Sequence, residues 1–283
     1  MQPLHVLNRV TKKGAGFIVL DPYAKITEVD PDVQRRLSDS LEIRAADLEM
    51  RAIISSYLAR LNWSEGMEIL EVGCGTGAIT RMLAQAPGVG KVIGIDPSAI
   101  FIEKARSLNE HSHVELVVGD GRTLPFSDHS FDTVVFHTVL GHVPSPELFL
   151  QEAKRVLKKG GQLAIFDGDY TNRSVALGEQ DPLQACVEIM KKYNTHNPWL
   201  VRQLPAMLSA QGFDSIQLEC HSYFGKNPDY MLNYLERGAH RLVDTGVITM
   251  QTATALKEEA HQRVRDGRFF GLFPFMSFLA ESM

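Results

Sequence analysis

The sequence predicts an α/β protein built on a parallel, doubly wound β-sheet. Between residues 67 and 170, five short apolar runs alternate with segments of helical periodicity. Strands and helices that alternate in this way form parallel strands joined by right-handed crossovers. The runs expected to be buried strands are Ile69–Val72, Val92–Ile95, Val114–Val118, Thr133–Phe136 and Leu163–Phe166. Ligands of such sheets bind beyond the carboxyl ends of the strands.

Composition and charge favour a globular protein that binds a small molecule. The 283 residues are 44% hydrophobic and 22% charged, with a formal net charge of -5. A mildly acidic chain without a basic cluster is not expected to bind nucleic acid. Three widely separated cysteines predict neither a disulfide framework nor a metal site. We expect a cytoplasmic protein without stable membrane insertion, and a homo-oligomer is possible.

Residues 1–65 are predicted to form a lid over a sheet domain that comprises residues 66–283. An extended stretch at 16–20 precedes a helix that begins at Asp30. Apolar residues then recur at helical spacing over residues 50–61, which predicts a second helix with one apolar stripe. Such a stripe needs a surface to cover.

Capping residues place three helices between the predicted strands of the core, residues 67–170. One helix follows Gly77, one is capped by Ser98, and one runs from Ser145 to a stop at residues 160–161.

Residues 171–283 are predicted to add further helices and two strands. In order, these are a helix opened by Asp181 and Pro182, a helix at Leu204–Gln211, a strand at Ser215–Phe224, a helical insertion at about 227–267 and an aromatic strand at Phe269–Leu279. Pro274 removes one ladder hydrogen bond from that last strand, which predicts a bulge, a bend or a hairpin there.

A glycine-rich turn directly follows the first predicted strand and precedes a helix. Glycines stand at alternate positions, Gly73, Gly75 and Gly77, after Glu71. Glycine lets the backbone turn tightly and lets a ligand lie against it. Taken alone, the pattern is also compatible with a strand-to-helix turn that binds nothing.

Acidic residues at the ends of the next two predicted strands make the turn more specific. Asp96 ends the second strand, where a carboxylate can accept both ribose hydroxyl hydrogens. Asp120, between Gly119 and Gly121, can accept from the exocyclic amine of an adenine, or can be a turn aspartate. A nicotinamide enzyme would also have an acid at the position of Asp96. Its third glycine, however, would fall at Ala78, and Asp120 would be unexplained.

Together these residues resemble the class I S-adenosylmethionine-dependent methyltransferases. The motifs that carry the resemblance are Glu71–Gly77, Asp96, Gly119-Asp120, Leu124–Phe126, Ser130–Val135, Arg155–Leu157 and Gly160-Gly161. The chain is similar to the C-methyltransferases of ubiquinone and menaquinone biosynthesis and to their small-molecule relatives. The resemblance implies a Rossmann-like, seven-stranded sheet whose last strand is antiparallel. The chain departs from the quinone enzymes in its long insertion and in the lack of a basic ending at 280–283.

The resemblance implies S-adenosyl-L-methionine as the cofactor and assigns residues to it. The glycine turn would face its methionine and ribose, Asp96 would hold the ribose, and Asp120 would hold the adenine amine. The expected cofactor contacts are Tyr23, Arg51, Glu71, Gly73, Cys74, Gly75, Gly77, Asp96, Pro97, Asp120, Gly121, Arg122 and His137. For Tyr23 and Arg51, a packed tyrosine and a helix-face arginine are the alternatives.

The implied reaction requires the protein to align an acceptor with an already activated methyl group. An oxygen or nitrogen acceptor can also need its proton removed, for which histidine is suited near neutral pH. His142, in the loop after the fourth strand, is the first candidate for catalysis. His221 and Tyr223 on the sixth strand are the next candidates. Each of these side chains could instead orient a loop or line the pocket.

The expected activity is that of a biosynthetic enzyme, in-line methyl transfer to carbon, oxygen or nitrogen of a small, partly apolar metabolite (EC 2.1.1.-). One alternative is a protein of the same fold that keeps the cofactor as a structural ligand without transferring methyl. A nicotinamide-dependent oxidoreductase is the less favoured alternative.

Overall fold

A computed structural model describes residues 21–283 of the chain, and the stretch at 16–20 that was predicted to be extended lies outside them. The helices are α1 (Pro31–Ala46), α2 (Leu48–Leu58), α3 (Ala78–Ala84), α4 (Ala99–Leu108), α5 (Pro146–Val156), α6 (Gln184–Tyr193), α7 (Leu200–Ala210), α8 (Asp229–Asp244) and α9 (Met250–Arg265). The strands are β1 (Met67–Val72), β2 (Val89–Asp96), β3 (Val114–Val118), β4 (Phe131–His137), β5 (Leu157–Gly168), β6 (Phe213–Tyr223) and β7 (Phe273–Ser282).

The seven strands form one sheet in the order β3-β2-β1-β4-β5-β7-β6. Strands β1 to β5 are parallel, and β7 is antiparallel to both of its neighbours. The predicted α/β, Rossmann-like sheet with an antiparallel last strand is therefore confirmed. The direction in which successive strands are added reverses between β1 and β4, and ligands of such sheets bind at this switch point.

Alternate residues of the central strands are buried on opposite faces of the sheet, as the period of two requires. Ile69 and Val135 belong to a core shared with α2, α3, α6, α8 and α9. Leu70 and Val134 belong to a second core shared with α5 and α7. Because both faces are covered, the strands form continuous apolar runs, which is why they were recognisable in the sequence.

Several element bounds differ from the sequence predictions. Strand β7 is Phe273–Ser282 where Phe269–Leu279 was predicted, and the helix predicted at Leu204–Gln211 is α7, Leu200–Ala210. Helix α5 ends at Val156 and not at residues 160–161, because Leu157 is extended and pairs with Phe131 at the start of β5. The prediction of a bulge, bend or hairpin at Pro274 is wrong, since β7 continues in register past it. Pro274 lies one residue outside the pairing with β5, so that its missing N–H leaves the β5 ladder intact.

The helices before and after the core meet above the sheet. Helix α1 begins after Asp30, whose carboxylate accepts the N–H groups of Asp32 and Val33. It packs against α3, α4 and α8, so that the amino-terminal segment contacts the helical insertion, which consists of α8 and α9. That the segment acts as a lid stays a prediction. None of the helices in residues 21–283 has both the length and the apolar composition needed to cross a bilayer.

Candidate active site

A cavity lies at the carboxyl edge of the parallel part of the sheet. Its lining includes one residue at or just beyond the end of each strand from β1 to β5, namely Gly73, Asp96, Asp120, Thr138 and Tyr170. The strand order places Gly73, Asp96 and Asp120 together at one end of the cavity. We call this the acidic end and define it as residues 73–76 with the two aspartates.

The glycine turn requires glycine for conformation and for space. Gly73, Gly75 and Gly77 have φ angles of 74°, 53° and 75°, in the left-handed region that favours glycine. A β-carbon at Gly73 would lie 2.5 Å from Cγ2 of Val139. Gly73 and Gly75 line the cavity. Gly77 begins α3 and packs towards α4 instead.

Asp96 is buried under the turn and fixes it. One carboxylate oxygen accepts the Ser98 N–H at 2.9 Å, and the other accepts the Gly75 N–H at 2.9 Å. Burial raises the pKa of Asp96 to about 6, and the two backbone hydrogen bonds oppose that shift. An ionised carboxylate has acceptor sites beyond these two, so Asp96 can still bind hydroxyl groups of a ligand. Pro97 lines the cavity beside it.

Asp120 is held in place by Arg122. The Arg122 guanidinium donates to both carboxylate oxygens, with distances from 2.6 to 3.1 Å. These hydrogen bonds lower the pKa of Asp120 and keep it ionised. Asp120 and Gly121 line the cavity. The structure places Arg122 outside the cavity on the surface, where it acts through Asp120.

Glu71 and Cys74 are buried beneath the turn. The Thr80 hydroxyl donates to Glu71. Burial raises the pKa of Glu71 to about 8. Burial also raises the pKa of the Cys74 thiol well above its usual value. Cys74 therefore remains a neutral thiol, which fits a small residue that fills the turn.

His137, at the end of β4, lies in an aromatic stack. Its ring centroid is 4.7 Å from that of Phe166, and the two rings are stacked nearly parallel. Its Nδ1 shares a hydrogen bond of 3.0 Å with the Tyr57 hydroxyl. Burial, reinforced by the charge of Arg44, holds the pKa of His137 well below its ordinary value. His137 is therefore neutral where it lines the cavity.

His142 lies between a carboxylate and a phenol. Its Nδ1 donates to Asp21, 3.0 Å from the nearer oxygen, and its Nε2 is 3.3 Å from the Tyr170 hydroxyl. Burial disfavours the charged ring, but the charge and hydrogen bond of Asp21, together with the charge of Asp167, outweigh burial and raise the pKa of His142. The Tyr23 ring is 4.9 Å away. His142, Tyr170 and Tyr23 all line the cavity.

An arginine lines the cavity from the amino-terminal segment, but it is not the one the sequence predicted. Arg44 of α1 lines the cavity and donates to the Thr138 hydroxyl at 3.0 Å. Arg51 lies on the exposed side of α2. Met50 and Ile54 form the buried stripe of that helix, and the helical turn directs the next residue, Arg51, away from it.

His221 and Tyr223 are not brought to the cavity. Both lie on β6, the outer strand of the sheet, with β7 between them and β5. His221 shares a hydrogen bond of 2.8 Å with the Ser277 hydroxyl. The buried Tyr223 hydroxyl donates to Asp47 at 3.1 Å. These contacts give both side chains structural roles.

The end of the cavity beyond β5 contains a buried guanidinium among aromatic rings. Arg173 is 5% exposed, and its Cζ is 4.2 Å from the ring centroid of Tyr170, 4.7 Å from Phe273 and 5.1 Å from Tyr234. It forms no ion pair with any residue in 21–283. Such stacking on aromatic faces is favourable for a cation. We call the region lined by Tyr170, Arg173, Tyr234 and Arg237 the arginine end.

Helix α8 supplies one wall of the arginine end. Tyr230, Asn233, Tyr234 and Arg237 line the cavity, and their spacing places them on one helix face. Arg237 donates to Asn194 at 2.7 Å. Its hydrogen-bond partner is thus neutral.

Three buried polar atoms that line the cavity lack hydrogen-bond partners within residues 21–283. They are Nε2 of His137, Nε of Arg173 and the hydroxyl oxygen of Tyr234. Buried polar groups are ordinarily hydrogen-bonded, so these atoms are suited to contact a bound molecule. In the same part of the chain, no three His, Cys, Asp or Glu side chains are grouped to hold a metal ion.

Comparisons with known proteins agree with this architecture. Residues 70–165 match the family model described as a methyltransferase domain. Over these residues the chain is similar to class I methyltransferase domains. It is 37% identical over 112 residues to the demethylmenaquinone methyltransferase of Staphylococcus saprophyticus, covering 39% of this chain and 48% of that one. It is 34% identical over 165 residues to an uncharacterized 37.1 kDa protein of a Streptomyces fradiae transposon, covering 58% and 48%. The chain thus spans about half the length of these relatives.

Solved structures resemble this chain over more than residues 70–165. This likeness concerns the fold alone. A candidate methyltransferase from Bacillus halodurans has a TM-score of 0.57 and 23% identity, over 82% of this chain and 99% of that one. The [4+2]-cyclase SpnF has a TM-score of 0.53 and 19% identity, over 82% and 80%.

Sequence reasoning found most of the acidic end of the methyltransferase domain and missed most of the arginine end. The missed lining residues include Arg44, Tyr170, Arg173, Tyr230, Tyr234 and Arg237. The α8 face had a usable signal, because polar and aromatic residues recur at helical spacing from Tyr230 to Arg237. Asp21 had none, since nothing in the sequence relates it to His142.

Proposed function

We propose that this protein transfers methyl from S-adenosylmethionine to a small, partly apolar metabolite. The observation that carries the proposal is the acidic end of the cavity. There the glycine turn, Asp96 and Asp120 meet along one edge of the sheet, next to a covered space lined by His142, Tyr170 and aromatic residues. The methyltransferase domain match over residues 70–165 supports the same conclusion.

The acidic end fits the adenosine part of the cofactor. Asp96 would accept the ribose hydroxyl hydrogens, and Asp120, kept ionised by Arg122, would accept from the adenine amine. Arg44 would bind the cofactor carboxylate, since its guanidinium reaches the cavity from α1 beside Thr138. When bound, S-adenosylmethionine supplies a methyl group already activated on a sulfonium, so the protein needs no covalent nucleophile.

His142 is the residue best placed to remove a proton from an oxygen or nitrogen acceptor. Because a carboxylate only accepts, Asp21 holds the proton on Nδ1, so Nε2 of the neutral ring is free to accept one. The Tyr170 hydroxyl lies 3.3 Å from that nitrogen and connects it to the cavity. Since Asp21 raises the pKa of His142, the basic form of the ring increases as the pH rises through that pKa.

The covering helices contribute by alignment and by excluding water. Helices α1 and α8 pack together and both line the cavity. Holding two reactants in line can lower a barrier by about 7–11 kcal/mol. Alignment is therefore the largest contribution expected of the protein.

Isothermal titration calorimetry tests the cofactor part of the proposal. We expect S-adenosylmethionine and S-adenosylhomocysteine to bind with one site per chain, and NAD not to bind. Binding of NAD alone would support an oxidoreductase and overturn the proposal.

Incubation with methyl-tritiated cofactor and a metabolite extract tests methyl transfer itself. Label in a small molecule, together with release of S-adenosylhomocysteine, is the expected result. Tight cofactor binding without transfer to any acceptor would instead favour the alternative of a structural ligand.

A further inference from the structure

We propose that the methyl acceptor is a small organic acid whose oxoanion binds between Arg173 and Arg237. This inference rests on the proposed function and deepens it by naming the acceptor class. It is carried by the arginine end of the cavity, which is basic and aromatic and lies outside the acidic end.

The Arg173 guanidinium is a buried charge without a counter-ion. It is 5% exposed, and residues 21–283 supply it with neither an ion pair nor a hydrogen-bond acceptor for Nε. Arginine cannot lose its proton in a protein, so the charge persists at the cavity wall. Aromatic faces offset part of the cost of burial, but they leave the planar array of N–H donors free for an oxoanion.

The buried carboxylate of Asp167 interacts with the Arg173 charge but does not pair with it. Asp167 accepts the N–H groups of Gly141 and Gly168, at 3.0 and 2.8 Å. It has no contact with Arg173 short enough to be an ion pair. Burial raises the pKa of Asp167, and the charges of His142 and Arg173 oppose that shift. Asp167 therefore offsets part of the Arg173 charge from a distance, without occupying its N–H donors.

Arg237 and Tyr234 complete a site for an oxoanion. Tyr234 and Arg237 are three residues apart on α8 and therefore neighbours on its surface. The Tyr234 hydroxyl is buried without a hydrogen-bond partner among the described residues, and its ring is 5.1 Å from the Arg173 guanidinium. A hydroxyl and two guanidinium groups offer the donors that a carboxylate or another oxoanion accepts.

The cofactor does not account for these arginines. The carboxylate of S-adenosylmethionine can be held by Arg44, which belongs to α1 and contacts Thr138 at the end of β4. Arg173 follows β5, two strands away from the β1 strand that carries the glycine turn, and Arg237 lines the same cavity from α8. The cavity has three arginines, whereas the cofactor has a single carboxylate. The positive charges of Arg173 and Arg237 are therefore available to the acceptor.

The test compares acids with their neutral methyl esters in the full chain saturated with S-adenosylhomocysteine. The probes are 4-hydroxybenzoate, indole-3-acetate and the methyl ester of each, titrated by calorimetry. We expect at least one acid to bind about tenfold or more tightly than its ester, since a charge-assisted bidentate contact is lost in the ester. R237Q and R173M should each remove that preference.

Matched variants separate this result from misfolding. R241Q removes an arginine one turn farther along α8 that does not line the cavity, and it should keep the preference for the acid. R173K keeps the positive charge and should recover part of what R173M loses. All variants should bind S-adenosylhomocysteine as the unaltered protein does, which also serves as the folding check.

Three outcomes would overturn the inference. These are equal binding of every acid and its ester, no binding of either acid, and an acid preference that survives both R237Q and R173M. If S-adenosylhomocysteine binds and any of these results is obtained, only the acceptor class is wrong. If S-adenosylhomocysteine itself does not bind, the proposed function fails and this inference falls with it.

Discussion

The two ends of the cavity are assembled in different ways. The acidic end comes from residues 73–120, at the ends of three strands that adjoin in the sheet. The arginine end combines residues 170–173 with the α8 face, and His142 is completed by Asp21, 121 positions away in sequence. The acidic end consists of short sequence motifs at the ends of parallel strands. The arginine end forms only when segments that are distant in sequence pack together. The family match covers residues 70–165 and so covers the first end only.

The largest effect is expected from D96N, which tests whether the acidic end holds the cofactor. The substitution removes a charged acceptor for two ribose hydroxyls and turns an amide towards the Gly75 N–H. Each hydrogen bond to a charged group is worth about 1.5–3 kcal/mol, so the loss of both should lower the affinity for S-adenosylhomocysteine about 100-fold or more. D244N, at an exposed position on α8, is the calorimetric control. A loss of less than about threefold in D96N would contradict the assignment.

The next effect concerns the connection between the amino-terminal segment and His142. In D21N, the carboxylate that raises the pKa of His142 is gone and burial then dominates. We expect the pKa of His142 to fall, because burial lowers it and the Asp21 charge and hydrogen bond no longer oppose burial, as measured by NMR of the imidazole resonances. E28Q should leave the pKa of His142 unchanged. The signal of His137 should be unchanged in both variants. An unchanged His142 pKa in D21N would show that the contact has no electrostatic effect.

The two ends should also differ in how they respond to pH. Binding of a ribose to ionised Asp96 requires loss of its proton, and its pKa is about 6. The affinity for S-adenosylhomocysteine should therefore fall below about pH 6, by up to about tenfold per unit, and level off above about pH 7. The arginines do not titrate, so the preference for an acid over its ester should be constant from pH 6 to 8. Calorimetry from pH 5 to 8 measures both quantities. An affinity for S-adenosylhomocysteine that does not change with pH would contradict the assignment of Asp96 to the ribose.

The last prediction concerns the stability cost of burying Glu71 beneath the glycine turn. Folding raises the pKa of Glu71 from 4.5 to about 8. The unfolded chain loses this proton near pH 4.5 while the folded protein keeps it, so the stability falls as the pH rises from 4.5 to about 8. E71Q removes that cost and should raise the free energy of unfolding at pH 8 more than at pH 4.5. Thermal unfolding should show a higher Tm at pH 8 and little change at pH 4.5, with E110Q as the exposed control. A lower Tm at pH 8 would be evidence against the shift.

The fold and the acidic end were predictable because they depend on short-range patterns. Continuous apolar runs mark buried parallel strands, and Gly73, Asp96 and Asp120 each stand at a strand end, where topology alone brings them together. Their common cavity in the structure agrees with that expectation. Only the ends of elements, such as that of α5, shifted, because the extended Leu157 joined β5.

The rest was beyond sequence reasoning for physical reasons. Arg51 was predicted to contact the cofactor because it belongs to the amino-terminal segment. The helical phase of α2 turns its side chain outward instead. His221 and Tyr223 were assigned through their strand, yet the strand order puts β7 between β6 and the site. Arg173 and Asp21 have no flanking motif, since their environment is created by packing between segments far apart in the chain.

The contact between Asp21 and His142 makes the proton affinity of the imidazole a report on the position of the amino-terminal segment. A proteolytic cut between this segment and the sheet would leave the glycine turn and its aspartates untouched. If the cut segment then dissociated, His142 would lose the Asp21 contact and its pKa would fall. Docking of the segment and the raised pKa of His142 therefore depend on the same contact.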